Sequence, residues 1–398
     1  MALSELPCRR VRIVKVAFVV QRCGREVNGG AESLCLQVAQ RMAKHWEAEI
    51  LTTCALDYMT WRNSYEPGSE QVGDTLIRRF PVDYPRDVEA FNRLSSELRP
   101  RQKDATLAEQ EAWMRAQGPV SSLLLDNLSA QRRFYDAFVF FGYLYATTYF
   151  GLPLVKDKAY LAPFAHDEWT IYFNMWNKLF SLPRKIIFST SFERDFLHRR
   201  FPDLSLPGPL IGVGVDPPGP QFPDKFRERY GIRDPFLLYV GRVDESKGCR
   251  WLIDSFIRAR RDGFIPHKLV LIGSEVMPIP FHDDIIHLGF VDDTEKWAAM
   301  AACDWLVNPS EYESLSMVLL ETWLAGRPCL VNGRSEVLVG HCQRSNGGLW
   351  YDSYEEWIRI LTSIDDGTRN ILGSQGKRYV QTNYSWQRIE NEYLAGIA

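Results

Sequence analysis

The sequence predicts an α/β protein of two doubly wound parallel-sheet domains facing across a cleft. Three observations lead there. Short apolar runs alternate with helical patterns along the chain, the order that builds a parallel sheet with helices on both faces. The alternation is interrupted by a Pro/Gly-rich stretch, PDLSLPGPLIGVGVDPPGPQFP at 202–223, and then restarts. The composition, 45% hydrophobic and 24% charged over 398 residues, is that of a soluble globular chain with core-forming residues for about two to three domains.

VRIVKVAFVV (11–20) is a continuous apolar run, as a strand covered on both faces requires. The turn-rich QRCGREVNGG follows, then AESLCLQVAQRMAKHW, where Ala31, Leu34, Cys35, Val38 and Met42 form one helical stripe. EAEILTTCA (47–55) is the next strand, and residues 91–135 form a charged, mostly helical insert. AFVFFGYLYATTYFGLPLV (137–155) approaches the length of a membrane span. Its threonines, glycines, proline and aromatics predict instead a buried strand leading into an aromatic-lined loop. IIFST (186–190) and the periodic SFERDFLHRRF close the first half.

Beyond the linker, FLLYVGR (236–242), HKLVLIG (267–273), IIHLGFV (285–291), DWLVNPS (304–310) and PCLVNG (328–333) read as strands. SKGCRWLIDSFIRAR, TEKWAAMAACD and residues 314–325 read as the helices between them, with Pro309-Ser310 as stop and cap. SWQRIENEYLAG supplies a terminal helix. The expected domains are therefore 1–205, 206–380 and a closing helix 381–398. Ligands of such sheets gather at the carboxyl ends of the strands, which makes the cleft between two domains the expected site.

A formal net charge of −3 provides no basic field to recruit nucleic acid. The eight cysteines, at 8, 23, 35, 54, 249, 303, 329 and 342, include no C-x2-C spacing, so neither a zinc site nor a disulfide scaffold is expected. Cys35, Cys303 and Cys329 sit in apolar runs as small hydrophobes, a usage that fits a reducing cytoplasm. MALSELPCRR lacks the long apolar stretch of a signal peptide.

Four constellations carry candidate chemistry. Asn28-Gly29-Gly30-Ala31-Glu32 lies between the first strand and the first helix. It is either an ordinary tight turn or a place where a ligand meets bare backbone and a helix N-terminus. Gly241-Arg242-Val243-Asp244-Glu245-Ser246-Lys247-Gly248 follows a buried strand and opens a helix. Arg242 and Lys247 there either clamp a diphosphate or form a solvated, salt-bridged turn. In Ala165-His166-Asp167-Glu168-Trp169, His166 is either structural or a substrate hydrogen-bonding group. There is no second histidine at ligand spacing and no D-x-D in the chain, so no metal is expected. Finally, Glu313 and Glu321 stand eight residues apart in NPSEYESLSMVLLETWLAG, at or before the helix start and two turns along it. They are either solvated helix charges or the holders of a polar ligand.

Taken together these segments resemble glycosyltransferase family 4, the retaining, sugar-nucleotide-dependent enzymes of the GT-B fold. The matches run in the family's order: GGAE, the HDE loop, PLIGVGVD, YVGR…SKG, LIGS, HLGFVDD, and NPSEYESLSMVLLE with ETWLAGRPCLV, the family's E-x7-E motif. The resemblance implies that Gly29 and Gly30 approach the diphosphate or the reacting centre. It implies that Arg242 and Lys247 hold the donor's diphosphate as it leaves. Glu321 would accept hydrogen bonds from the ribose, so that its partners are on the ligand. Glu313 would lie near the donor sugar, with the backbone N–H groups of Leu315, Ser316 and Met317 facing sugar or phosphate. Val291 and Asp293 would lie beside the base, and His166 would contact the sugar. Glu313, Arg242, Lys247 and His166 are thus the candidate catalytic residues.

Two departures stand out. Gly333-Arg334-Ser335-Glu336 occupies the place where many members have paired glycines, and the segment between GGAE and HDE is long. The expected reaction is retaining, hexosyltransferase-type transfer from a nucleoside-diphosphate sugar to a hydroxyl of a glycan, lipid-linked or small-molecule acceptor. It is expected to be metal-independent and front-face, with the nucleotide sugar as co-substrate and no cofactor. The acceptor is expected on the N-terminal domain near residues 91–150, where Tyr143, Tyr145, Tyr149 and Phe150 are a stacking surface for sugars, an apolar face for a lipid carrier, or simply core. The implied setting is bacterial polysaccharide assembly in the cytoplasm, with peripheral contact at the inner face of the plasma membrane. The rivals are another GT-B activity, a phosphorylase or sugar-nucleotide epimerase, and a non-catalytic nucleotide-sugar-binding protein. Sugar, base, acceptor and oligomeric state are left open by the sequence.

Overall fold

The computed structural model describes residues 14–27 and 29–397. MALSELPCRR with Cys8, and Asn28 of the glycine turn, lie outside the described residues. The chain separates into two compact units. One comprises Met1–Phe188, Leu197–Pro209 and Tyr393–Ala398; the other comprises Ser189–Phe196 and Leu210–Glu392.

The first unit is built on seven strands: β1 Lys15–Arg22, β2 Glu47–Thr53, β3 Gly68–Val72, β4 Thr75–Phe80, β5 Ala137–Phe141, β6 Ala159–Ala162 and β7 Lys185–Ile186. Their order is β3-β4-β2-β1-β5-β6-β7. β1 is flanked by β2 and β5, and this central place explains its unbroken apolar run: Val16 to Val20 are wholly buried. β3 pairs antiparallel with β4 through the two-residue turn Gly73-Asp74. This hairpin is absent from the sequence reading because β3, GSEQV, is mostly exposed and lacks an apolar signal. IIFST likewise yields only the two-residue β7. Ser189 and Thr190 instead hold the next helix start, where Glu193 Oε2 accepts from the Ser189 N–H at 2.7 Å.

The charged insert forms the helices Val88–Leu98, Leu107–Gln117 and Ser122–Gln131. Each start is fixed by a side chain, from Asp87, Thr106 and Ser121 respectively. Thr106 and Glu109 complete a reciprocal capping box. The apolar stretch 137–155 opens with the fully buried β5 and continues, past a short loop, into the helix Ala146–Gly151. Among the described residues no helix is long and apolar enough to cross a membrane.

The second unit carries six parallel strands: β8 Phe236–Val240, β9 Lys268–Ile272, β10 Ile285–His287, β11 Trp305–Asn308, β12 Cys329–Asn332 and β13 Gly348–Tyr351. The order is β10-β9-β8-β11-β12-β13. Its core gathers Phe256, Trp305, Trp357 and Leu271 with the aliphatic strand residues. The short edge strand β13, GLWY, is not anticipated by the sequence reading; its residues Leu349 and Trp350 stay partly open. Seven described cysteines are all buried and unpaired. Burial pushes the Cys303 and Cys342 thiols up to about 12, so they are inert packing groups.

In each sheet the chain reverses its direction of growth at one strand. β1 lies between β2 and β5, and β8 lies between β9 and β11. Loops leaving the carboxyl ends of such neighbouring strands form the ligand crevice of open α/β sheets.

Candidate active site

In the second unit the two loops at the reversal point are 241–248, after β8, and 309–316, after β11. Asp244 Oδ1 accepts from the Ser246 N–H at 2.9 Å and shapes the single helical turn Glu245–Lys247. Gly248, with φ 75°, closes that turn and opens the helix Cys249–Arg261. A β-carbon there would come under 3.0 Å from the Pro309 backbone carbonyl, so only glycine lets the two loops touch. Ser310 Oγ donates to the Lys247 carbonyl at 3.4 Å. Across this contact Lys247 Nζ donates to Glu313 Oε1 at 2.9 Å. Arg242 lies at the mouth of the same turn, its Nη2 3.7 Å from Asp244 Oδ2. Tyr239 fixes the turn from beneath by donating to the Arg242 carbonyl at 2.7 Å. Arg242, Lys247 and Glu313 are thus brought together by adjacent strands.

The helix of the glutamate motif is shorter than the sequence implies, running Met317–Leu324 in place of 314–325. Ser310 does not cap it. The Ser310 N–H is bound by Asn308 Oδ1 at 3.1 Å, and Asn308 Nδ2 donates to Ser316 Oγ at 3.2 Å. Ser316 is the N-cap residue, held at φ 79° with no capping side-chain bond. A non-glycine residue in that region is uncommon and marks a chain constrained by its surroundings. The first-turn N–H groups, at Met317 and beyond, therefore lack a side-chain acceptor from the cap, and Glu313 stands four residues ahead of the helix.

Glu321 corrects another expectation: its partners are not confined to a ligand. Lys296 Nζ, from the helix Asp293–Ala302, donates to Glu321 Oε1 at 3.0 Å and lies 3.1 Å from Asp293 Oδ1. The pairing arises because helix 293–302 packs beside helix 317–324. Burial pushes the Glu321 carboxyl above its ordinary value, and Lys296 offsets this only in part. Burial would lower Lys296, but Glu321 and Asp293 outweigh it and hold the ammonium above its usual range. Asp293 is the first residue of its helix with a largely exposed side chain, and Val291 is half-buried in the loop before it. Glu313 and Glu321 share no partner; each has its own lysine.

In the first unit the helix Gly30–Met42 follows β1. A β-carbon on Gly29 would fall under 3.0 Å from the Glu32 carboxylate, whereas one on Gly30 meets nothing within 4 Å. Glu32 is buried and accepts from Arg22 Nε at 2.7 Å. Arg22 also donates to the Leu56 carbonyl at 2.8 Å. So Gly29 is bare to admit Glu32, and Gly30 is the glycine with open space above it. Sequence reasoning includes Glu32 in the glycine turn without a role of its own and omits Arg22; the fourth letter of GGAE is the available signal. His166 sits beyond the end of β6, its Nε2 3.9 Å from Glu168 Oε2. Glu168 Oε1 accepts from the buried Tyr143 hydroxyl at 2.6 Å.

The aromatic cluster divides. Tyr143 is core, its ring 4.8 Å from that of Trp176. Tyr145 packs edge-on against Trp61. Tyr149 and Phe150 are half-buried, with Tyr149 donating to Glu111 at 3.0 Å. Among the described residues no group of three His, Cys, Asp or Glu side chains is arranged to hold a metal ion.

Residues 234–356 match the family model described as glycosyl transferases group 1. An uncharacterized glycosyltransferase of Methanocaldococcus jannaschii is 30% identical over 189 residues, covering 42% of this chain and 46% of that protein. The chain spans about half the length of the curated relatives it matches. A sucrose-phosphate synthase from Thermosynechococcus elongatus superposes with a TM-score of 0.69 at 16% identity, over 96% of this chain and 98% of the other. Anabaena HepE, solved in complex with UDP and glucose, gives a TM-score of 0.67 at 13% identity over 96% and 98%. These likenesses show the fold.

Proposed function

We propose that this chain, whose residues 234–356 match the glycosyl transferases group 1 model and whose fold is GT-B, is a retaining glycosyltransferase. It moves a sugar from a nucleoside diphosphate to a hydroxyl of a glycan, lipid-linked or small-molecule acceptor. The observation that carries this reading is the reversal point of the second sheet. There the loops after β8 and β11 bring Arg242, Lys247, Glu313 and an uncapped helix start together. Two cations beside a helix start that lacks a side-chain cap suit a diphosphate.

The acceptor oxygen attacks the anomeric carbon on the face from which the diphosphate departs. The carbon–oxygen bond to the phosphate breaks, its electron pair stays on the phosphate oxygen, and that oxygen takes the hydroxyl proton. The largest demand is stabilisation of this developing charge, the role of Arg242 and Lys247. Lys247 has three N–H donors, so it can serve phosphate while bound to Glu313. Glu321 receives the ribose hydroxyls, Val291 and Asp293 flank the base, and Glu313, Leu315, Ser316 and Met317 face the sugar and phosphate. Gly29, Gly30 and His166 are assigned to the sugar and reacting centre through the family resemblance. No metal takes part in this scheme. The bound UDP in a solved neighbour supports a nucleotide donor. The setting, at the cytoplasmic face of a membrane in glycan assembly, rests on family analogy.

The test is a panel of nucleotide sugars and acceptors with detection of both released nucleoside diphosphate and glycoside. Release of both, with the anomeric configuration retained, is the expected result. Sugar-nucleotide interconversion without glycoside would identify an epimerase, transfer to inorganic phosphate a phosphorylase, and binding without turnover a non-catalytic receptor.

A further inference from the structure

Glu321 is a carboxylate among Leu319, Leu320, Trp323 and Leu324, all buried. One of its oxygens, Oε1, is taken by Lys296 at 3.0 Å. Oε2 has no hydrogen-bond partner among the described residues. Lys296 is itself anchored by Asp293 in the same helix, at 3.1 Å, and its side chain is only 20% exposed. The arrangement fixes one carboxylate oxygen and leaves the other available. We propose that Lys296 is a positioning residue: it holds Glu321 so that Oε2 accepts from the vicinal hydroxyls of a nucleotide ribose. The inference rests on the assignment of Glu321 to the ribose and adds the side chain that makes it work.

The physical reason is desolvation. A carboxylate in apolar surroundings drifts toward its neutral form unless a cation stands beside it, and a neutral carboxyl is a weaker acceptor than a charged one. Without the ammonium, Glu321 would be both protonated more readily and free to turn.

Calorimetric titration with UDP, GDP and ADP first identifies the tightest nucleotide, which is then compared with its 2′,3′-dideoxy analogue. Wild type is expected to prefer the ribonucleotide by about tenfold or more, as for a hydrogen bond to a charged group. Lys296→Met, which keeps the stem and removes the charge, is expected to lose most of that preference while binding the dideoxy analogue as wild type does. In a Glu321→Gln background it should cause no further loss, and Lys296→Arg should retain the preference. Lys296→Gln replaces the methionine variant if circular dichroism shows the latter unfolded.

Equal weakening toward both nucleotides, or an unchanged preference in the charge-removing variant, overturns the positioning role. A wild type indifferent to the ribose hydroxyls overturns the assignment of Glu321, and this inference with it. Failure of all three nucleotides to bind overturns the donor reading itself.

Discussion

Gly248 and Gly263 stand at the two ends of the helix Cys249–Arg261, with φ 75° and 72°. Alanine at either must adopt a left-handed backbone, at about 1–2 kcal/mol. Their surroundings differ. A β-carbon at Gly263 meets nothing within 4 Å, while at Gly248 it falls under 3.0 Å from both O and C of Pro309. Those are backbone atoms of the neighbouring loop, so the two loops must part, an overpacking penalty of about 1–3 kcal/mol. Gly263→Ala should therefore lose about 1–2 kcal/mol and Gly248→Ala about 2–5 kcal/mol, the sum of the two effects. Urea unfolding monitored by tryptophan fluorescence reads both, because Trp305, Trp323 and Trp357 are buried in the same unit. Separating the loops also pulls Lys247 from Glu313, so Gly248→Ala should weaken nucleoside diphosphate binding and Gly263→Ala should not. Equal destabilisation by the two variants, with nucleotide affinity untouched in both, would refute the claim that loop contact at Gly248 assembles the site.

Arg242→Ala and Lys247→Ala should each lose about 2–4 kcal/mol of transition-state stabilisation, the range for a lost preorganised donor; wild-type turnover in both would remove the diphosphate clamp. A chelator should leave turnover intact, and activity restored only by a divalent cation would contradict the leaving-group chemistry proposed. Burial holds His267 and His341 down to about 4 and about 3, against an ordinary 6.5. The unfolded chain thus takes up protons below 6.5 that the native chain refuses, and stability falls as pH drops from 6.5 toward 4. The two histidines together give a slope approaching about 2.7 kcal/mol per pH unit. His267→Gln should remove about half of it, and an unchanged acid-unfolding profile would show that His267 is not buried neutral.

Much of the fold was legible because the longer interior strands carry their burial in their letters. β1, β5, β8 and β9 are interior strands, and their apolar runs say so without reference to partners. Where burial is one-sided or partial the signal fades. The polar edge strand β3, its partner β4 and the four-residue β13 are absent from the expected strands, and β10 is three residues long where seven are expected; β6 is absent too although fully buried, because AYLA is too short to stand out as an apolar run. The helix of the glutamate motif was overextended because Leu315 is apolar and in phase, although Ser316 turns the backbone to positive φ just before the helix begins.

The candidate site divides along the same line. The identities of Arg242, Lys247, Glu313, Glu321, Gly30 and His166 were available from residue type and from family resemblance. Which of them meet was not. Lys247 and Glu313 are 66 residues apart and touch because β8 and β11 are neighbours in the sheet. Lys296 reaches Glu321 because one helix packs beside another. Glu32 is buried on Arg22, and its carboxylate fills the space above Gly29. Local sequence determines periodicity, turn chemistry and charge, since these depend on neighbours within a few bonds. Strand order and helix packing minimise a free energy summed over the whole unit, so the ion pairs that depend on them exist only once the chain has closed on itself.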